Sequence, residues 1–207
     1  MESKQFWNNI YKTKEDKKPI YDLWLDKHIG VLEKSKESNI IDLGCGNGGD
    51  TLYLGEKGYK VIACDYSEEA LKTVNKFLPE VETMIIDISK TLPFEDESIE
   101  IMIADLSMHY FNEETTKNIV KEIKRVLKAN GYLIARVNSV NDINYGAGSG
   151  EEIEENFYLT QSGHKRFFDR EDIEYYFGEL EIEHCKEERI VKYGDEKKAW
   201  EFVVRKM

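Results

Sequence analysis

The sequence predicts an α/β fold, a parallel sheet covered by helices on both faces. Two observations carry this. From Asn39 onward, short apolar runs alternate with stretches whose apolar residues recur at helical spacing. Strands covered on both faces read as unbroken apolar runs, and a helix is the usual crossover between parallel neighbours. Second, a glycine-rich turn, GCGNGG at 44–49, follows the first run and opens a helix. Sheets of this class bind ligands beyond the carboxyl ends of their strands.

The elements follow in order. Phe6, Trp7, Ile10 and Tyr11 predict a short helix, and Pro19 marks the loop after it. Leu23, Trp24, His28, Ile29 and Leu32 predict one amphipathic helix over 21–34. Strands are expected at 40–43, 60–64, 83–86, 99–104 and 132–137, with helices at 51–57, 68–77 and 113–127. Ser67 and Asn112 stand where N-caps belong, and Gly131 is expected to stop the last of these helices. After Val137 the rhythm breaks. A segment at 138–168 contains GAGSG, and a helix at 169–177 and strands at about 181–190 and 199–205 finish the chain. The expectation is a single domain: a helical cap at 1–38, a core at 39–137, an insertion at 138–168 and a closing unit at 169–207.

Composition narrows the partners. A chain of 207 residues fits one domain. Its 29 basic and 41 acidic residues give a net charge of −12, which disfavours docking on a phosphate backbone. Cys45, Cys64 and Cys185 show neither paired nor metal-ligand spacing, so neither a disulfide framework nor a metal site is expected. Reduced thiols suit the cytoplasm. The first residues lack the apolar core of a secretion signal, and no run of 18 apolar residues suggests a membrane span.

Gly44, Gly46 and Gly49 satisfy the literal GxGxxG of dinucleotide sites. Their surroundings point elsewhere. A pyrophosphate needs a helix N-terminus unopposed by carboxylates, yet Asp42 ends the strand and Asp50 starts the helix. At an effective dielectric near 20, like charges about 4 Å apart cost about 4 kcal/mol. A ligand carrying an ammonium or sulfonium is favoured instead. Asp65 ends the second strand, where a carboxylate accepts both ribose hydroxyls. A ribose with a positive group and no phosphate describes S-adenosylmethionine.

DLGCGNG at 42–48, CDYS at 64–67 and DIS at 87–89 resemble, in order, the motifs of class I S-adenosylmethionine-dependent methyltransferases. The resemblance covers roughly 39–137, and the whole chain is similar to small bacterial methyltransferases of the methyltransferase-domain and tellurite-resistance-like type. It implies a Rossmann-like seven-stranded, mostly parallel sheet with an antiparallel last strand. It further implies that Asp42 and the Gly44–Cys45–Gly46 backbone border the methionine moiety. Asp65 would then hold the ribose hydroxyls, Tyr66 lie against the adenine, and Asp87 and the Ile88 amide meet the adenine edge. Asp105 and Leu106 would border the methyl group, and Trp7 and Tyr11 would cap the cofactor.

For the acceptor, His109 is the candidate general base because it follows the fourth strand and titrates near neutrality. The absence of an NPPY- or DPPY-like tetrapeptide and of a basic arm disfavours nucleic acid. Between Arg136 and Lys165 there is no lysine or arginine but five acids, with Tyr145, Phe157 and Tyr158 as aromatic faces. Glycines at 146, 148 and 150 suit a closing lid. Tyr145, Tyr158 and His164 are therefore expected to meet a small, cationic or neutral acceptor. An NAD-type oxidoreductase and a non-catalytic S-adenosylmethionine-binding protein are the alternatives, and the oligomeric state is left open.

Overall fold

Each buried strand alternates its side chains between two packed faces. Ile41 and Leu43 point to one core and Ile40 to another; Met102 and Ala104 oppose Ile101 and Ile103; Leu133, Ala135 and Val137 oppose Tyr132 and Ile134. This period of two, apolar on both sides, is what a sheet between helical layers requires. The computed structural model describes residues 3–13, 17–35, 37–192 and 194–207. The parts of the expected N-terminal cap at 1–2, 14–16 and 36 lie outside the described residues.

The elements are α1 (Lys4–Lys12), α2 (Ile29–Leu32), β1 (Asn39–Leu43), α3 (Gly49–Glu56), β2 (Lys60–Asp65), α4 (Glu68–Phe77), β3 (Glu82–Ile85), β4 (Ile99–Asp105), α5 (Glu113–Val126), β5 (Leu127–Asn138), β6 (Glu151–Glu154), β7 (Phe157–Thr160), β8 (Gly163–Arg166), α6 (Arg170–Phe177), β9 (Glu181–Lys192) and β10 (Asp195–Arg205). The main sheet has seven strands in the order β3-β2-β1-β4-β5-β10-β9. Pairings among β1 to β5 are parallel, and β10, the last strand, is antiparallel to both neighbours. Strand order reverses between β1 and β4, so the crevice at their carboxyl ends is the expected ligand position. One face is covered by α5 and α6, the other by residues 24–32 and α3. Ser67 and Asn112 cap α4 and α5 by accepting from the Ala70 and Thr115 amides.

Three expectations change. The helix expected over 21–34 is broken into a 3₁₀ turn at Trp24–His28, a single turn of α2 and a second 3₁₀ turn at Glu33–Ser35. Gly30 and the β-branched Ile29 and Val31 are weak helix formers. Tertiary bonds from the Trp24 indole to Asp50 and between His28 and Glu201 fix the side chains instead. Gly131 stops no helix. It lies inside β5, where a Cβ would meet the Lys128 carbonyl oxygen at 2.9 Å and the Glu100 carbonyl oxygen at 3.1 Å. The segment 138–168 holds a second, three-stranded antiparallel sheet, β6-β7-β8. Arg166 pins it, donating to the Phe111 carbonyl at 3.0 Å, the Glu155 carbonyl at 3.1 Å and the Glu154 carboxylate at 2.5 Å. Among the described residues, no helix is long and apolar enough to cross a membrane.

Candidate functional site

The turn after β1 is shaped by what it must approach. The Gly44 and Cys45 amides both donate to the Cys64 carbonyl on β2, folding the chain back across the sheet edge. Gly44 has φ +78°, and a Cβ there would lie 2.3 Å from the Ser107 side chain. Only glycine fits such a left-handed position without strain. The Gly46 amide donates to one oxygen of Asp65 at 2.8 Å, and the Ser67 amide to the other at 2.8 Å. Asp65 is thus locked in place while each oxygen keeps a lone pair for a ligand. Burial pushes its carboxyl up, and the backbone donors pull it back.

Asp42 and Asp50 are buried, and Asp105 largely so, near the carboxyl ends of β1 and β4, with different partners. Asp42 accepts from the Thr51 hydroxyl at 2.6 Å, and burial beside Asp105 and Asp65 pushes it up to about 7. Asp50 accepts from the Trp24 indole N–H at 2.9 Å, and burial raises it well above the usual carboxylate range. Asp105 goes the other way. Burial alone would raise it, but Arg136 binds it through two nitrogens, at 2.6 and 2.8 Å, and Lys192 adds a third donor at 2.8 Å. These cations hold it below the usual range. Arg136 is fully buried, lies 4.3 Å from the Trp24 ring and reaches Asp22 at 3.1 Å. Asp22 and Asp105 pair with Arg136 and Lys192, whereas Asp42 and Asp50 have no ion-pair partner among the described residues and burial favours their protonated forms. A ligand that brings positive charge relieves that penalty, and a phosphate adds to it.

Around this cluster lies a cleft of about 780 Å³, inside the usual range for small-molecule and cofactor sites. Helix α1 forms one wall. It is tied to α4 by Lys4–Glu68 at 2.5 Å and by the Ser67 hydroxyl donating to Asn8 at 2.7 Å. Its face of Phe6, Trp7, Ile10 and Tyr11 lines the cleft, with Trp7 edge-on to Tyr110 at 4.7 Å. Opposite, Leu106 takes a left-handed φ of +54° directly after β4, the kind of local strain that concentrates at functional sites.

Known proteins resemble this chain in sequence and fold. Residues 41–135 match the methyltransferase domain family. An uncharacterized methyltransferase of Schizosaccharomyces pombe is 34% identical over 126 residues, spanning 59% of this chain and 47% of that protein. The match to the methyltransferase domain spans just under half of this chain. The chain spans about half the length of the curated relatives it matches. A solved S-adenosylmethionine-dependent methyltransferase from Methanosarcina mazei superimposes with a TM-score of 0.74 at 19% identity, covering 86% of this chain and 97% of that one. The 1,6-didemethyltoxoflavin-N1-methyltransferase of Burkholderia thailandensis, solved with S-adenosylhomocysteine and its substrate, has a TM-score of 0.71 at 15% identity, covering 99% and 87%.

Within the matched residues 41–135, Asp42, Gly44, Cys45, Gly46, Asp65 and Tyr66 line one half of the cleft with Asp87 and Ile88. Asp87 forms a turn, accepting from the Ser89 amide at 3.0 Å and hydroxyl at 2.6 Å. Asp105, Leu106, Trp7, Tyr11 and Tyr145 line the same cleft. His109 does not. Its ring lies against Tyr110 and lines a separate, smaller cavity, where burial and the nearby Lys197 and Lys165 keep it neutral. Tyr158 and His164 line neither space; they pack on Phe167 and Phe157 within the small sheet. Nor is the cleft free of basic groups. Lys165 and Lys192 line it, immediately beyond the lysine-free stretch and from the far end of β9. Sequence reasoning missed Asp22, Trp24, Arg136, Lys165 and Lys192. Of these only Arg136 left a signal, an arginine inside the otherwise apolar run YLIARV. A charge inside a buried strand requires a partner.

Proposed function

We propose that the protein transfers the methyl group of S-adenosylmethionine to a small-molecule acceptor. The observation that carries this is the pair of buried, cation-free carboxyl groups Asp42 and Asp50 beside the glycine turn, whose ionisation a cationic nucleoside favours and a pyrophosphate opposes. When bound, S-adenosylmethionine supplies an electrophilic methyl on a sulfonium leaving group. In this reading Asp65 accepts from the ribose hydroxyls, Tyr66 lies along the adenine, and Asp87 with the Ile88 amide meets its edge. Asp42, the 44–46 backbone, Asp105 and Leu106 hold the methionine end, while Trp7 and Tyr11 close over it. The work of the chain is to orient the acceptor in line and exclude water. The neutral, recessed His109 is not the base in this reading; an acceptor that enters unprotonated or is already anionic requires none.

A small acceptor is supported by the small-molecule size of the cleft, by the net charge of −12 that disfavours nucleic acid, and by the 1,6-didemethyltoxoflavin bound to the Burkholderia enzyme. We assign the protein to the cytoplasm on its three free thiols, Cys45, Cys64 and Cys185. Thermal unfolding with S-adenosylhomocysteine or NADH tests the cofactor. At a hundredfold excess over Kd the true ligand stabilises by about 2.7 kcal/mol. Stabilisation by NADH alone overturns the reading. Incubation with methyl-labelled cofactor and a metabolite extract, followed by mass spectrometry, then identifies the labelled product.

A further inference from the structure

Behind the acceptor side of the cleft lies a second cavity of about 50 Å³. Leu106, Tyr110, Tyr145 and Lys165 line both spaces, so they form the wall between them. The small cavity is completed by His109, Asn138 and Lys197. At about 10–15 Å³ for each water-sized position it holds about three to five. That is room for a small polar group and not for a ring.

Two polar atoms on its lining are buried without a partner, His109 Nδ1 and Asn138 Oδ1, on residues 3% and 1% exposed. Leaving one such atom unsatisfied costs about 1–3 kcal/mol, so two at one small cavity call for a ligand group or ordered water. The charge is also unbalanced. Lys197 is paired with Asp142 at 2.5 Å and lies 4.3 Å from the Tyr145 ring. Lys165 donates to the Tyr145 carbonyl at 3.1 Å, and among the described residues no carboxylate pairs with it. Two ammonium groups thus share one carboxylate. Burial and Lys197 push the Lys165 amine down, a penalty that an incoming anion relieves. Neutral His109 donates from Nδ1 in one tautomer, and a half-turn of the Asn138 carboxamide presents its NH₂.

We propose that this side cavity receives a carboxylate carried by the methyl acceptor, with Lys165 supplying its counter-charge and His109 and Asn138 its hydrogen bonds. The inference rests on the methyltransferase reading. It reverses the expectation of a cationic or neutral acceptor, because the lysines that face the cleft come from β8 and beyond, not from the acidic stretch before them.

The test uses the full chain saturated with S-adenosylhomocysteine and titrated calorimetrically with benzoate, benzamide and benzylamine. Saturable benzoate binding is expected, with benzamide and benzylamine at least tenfold weaker. Lys165→Met should weaken benzoate at least tenfold while leaving S-adenosylhomocysteine affinity within about twofold, which shows that the variant is folded. Lys165→Arg should retain most of the benzoate affinity. Benzylamine binding as tightly as benzoate, no saturable benzoate binding, or undiminished benzoate binding in Lys165→Met would each overturn the proposal. Failure of S-adenosylhomocysteine itself to bind the native chain is a separate outcome, and it overturns the methyltransferase reading on which the proposal stands.

Discussion

The two halves of the cleft are built by different means. The half at the ends of β1, β2 and β3 uses backbone. Gly44, Gly46 and the amides of 44–46 shape the turn, and each carboxylate, Asp65 or Asp87, is fixed by amides or hydroxyls within a few residues or across one strand pairing. The half at the ends of β4 and β5 uses long charged side chains drawn from across the chain. Asp22, Asp105, Arg136 and Lys192 meet there, with Lys165 from the small sheet. A backbone-built half serves an invariant ligand, whereas side chains on β5, β8 and β9 can change without disturbing the turn. In the proposed reading, the methyl donor occupies the first half and the acceptor the second.

Arg136 is where the two halves depend on each other most. It neutralises Asp105, reaches Asp22 and stacks on Trp24, whose indole in turn holds Asp50. Arg136→Met removes one side of a buried pair and leaves its carboxylates uncompensated. A stability loss of about 3–5 kcal/mol is expected, measured by denaturant unfolding. A loss below about 1 kcal/mol would show that Lys192 alone suffices and that the halves are independent.

Asp65 probes the backbone-built half alone. Its two amide bonds would leave Asp65→Ala with a displaced Gly46 turn and no acceptor for the ribose. Charge-assisted hydrogen bonds are each worth about 1.5–3 kcal/mol, so S-adenosylhomocysteine affinity should fall at least tenfold by calorimetry. Unchanged affinity would remove Asp65 from the site. In Lys165→Met, by contrast, this affinity is expected to hold, and the pair of variants separates the halves directly.

These halves were unequally legible in the sequence. The glycine turn, Asp42, Asp65 and Asp87 could be read because each sits at a fixed offset from a strand end, and strand ends are marked by where apolar runs stop. Arg136, Lys192 and Asp22 meet only through the sheet order β4-β5-β10-β9, which no local spacing encodes. The same limit explains the broken helix at 21–34. Its apolar stripe is real at Trp24, His28 and Leu32, which are buried, but Leu23 stays exposed because tertiary bonds at Trp24 and His28 override the helical period. His109 has the right residue type after the right strand. Its ring, however, turns to the smaller cavity, and direction at a loop position is set by packing.

Protonation separates the halves by sign. Asp42, Asp50 and Asp65 are raised by burial, whereas Asp105 is lowered by its cations. A raised carboxyl binds its proton more tightly in the folded chain. Its contribution is full below the unfolded value near 4 and is lost as pH rises through the folded value, about 7 for Asp42. The ligand-free protein should therefore lose stability between pH 4 and 7, with a limiting slope of about 1.4 kcal/mol per pH unit for each such group. Asp105 acts oppositely, stabilising above pH 4 and losing that contribution in acid. Asp42→Asn should flatten the slope, and so should saturating S-adenosylmethionine, whose positive charge favours the ionised carboxylates. Thermal midpoints that rise from pH 4 to 7 without ligand would contradict the buried-carboxylate account.

The smallest effect is expected where the insertion meets neither half. The Tyr158 ring packs edge-on against Phe167 at 6.0 Å and lines neither cavity, although its strand β7 pairs with the strand that carries Lys165. Tyr158→Leu keeps an apolar body at that contact and forfeits the aromatic pair, worth about 0.5–1.5 kcal/mol beyond area burial, together with the hydroxyl's hydrogen bond to Glu152. Cofactor and benzoate affinities should both stay within about twofold, with a small fall in the thermal midpoint. A tenfold loss of benzoate affinity alone would mean that the small sheet sets the position of Lys165 through Tyr158. The acceptor half would then extend through the whole β6-β7-β8 unit, and not end at the one strand that reaches the cleft.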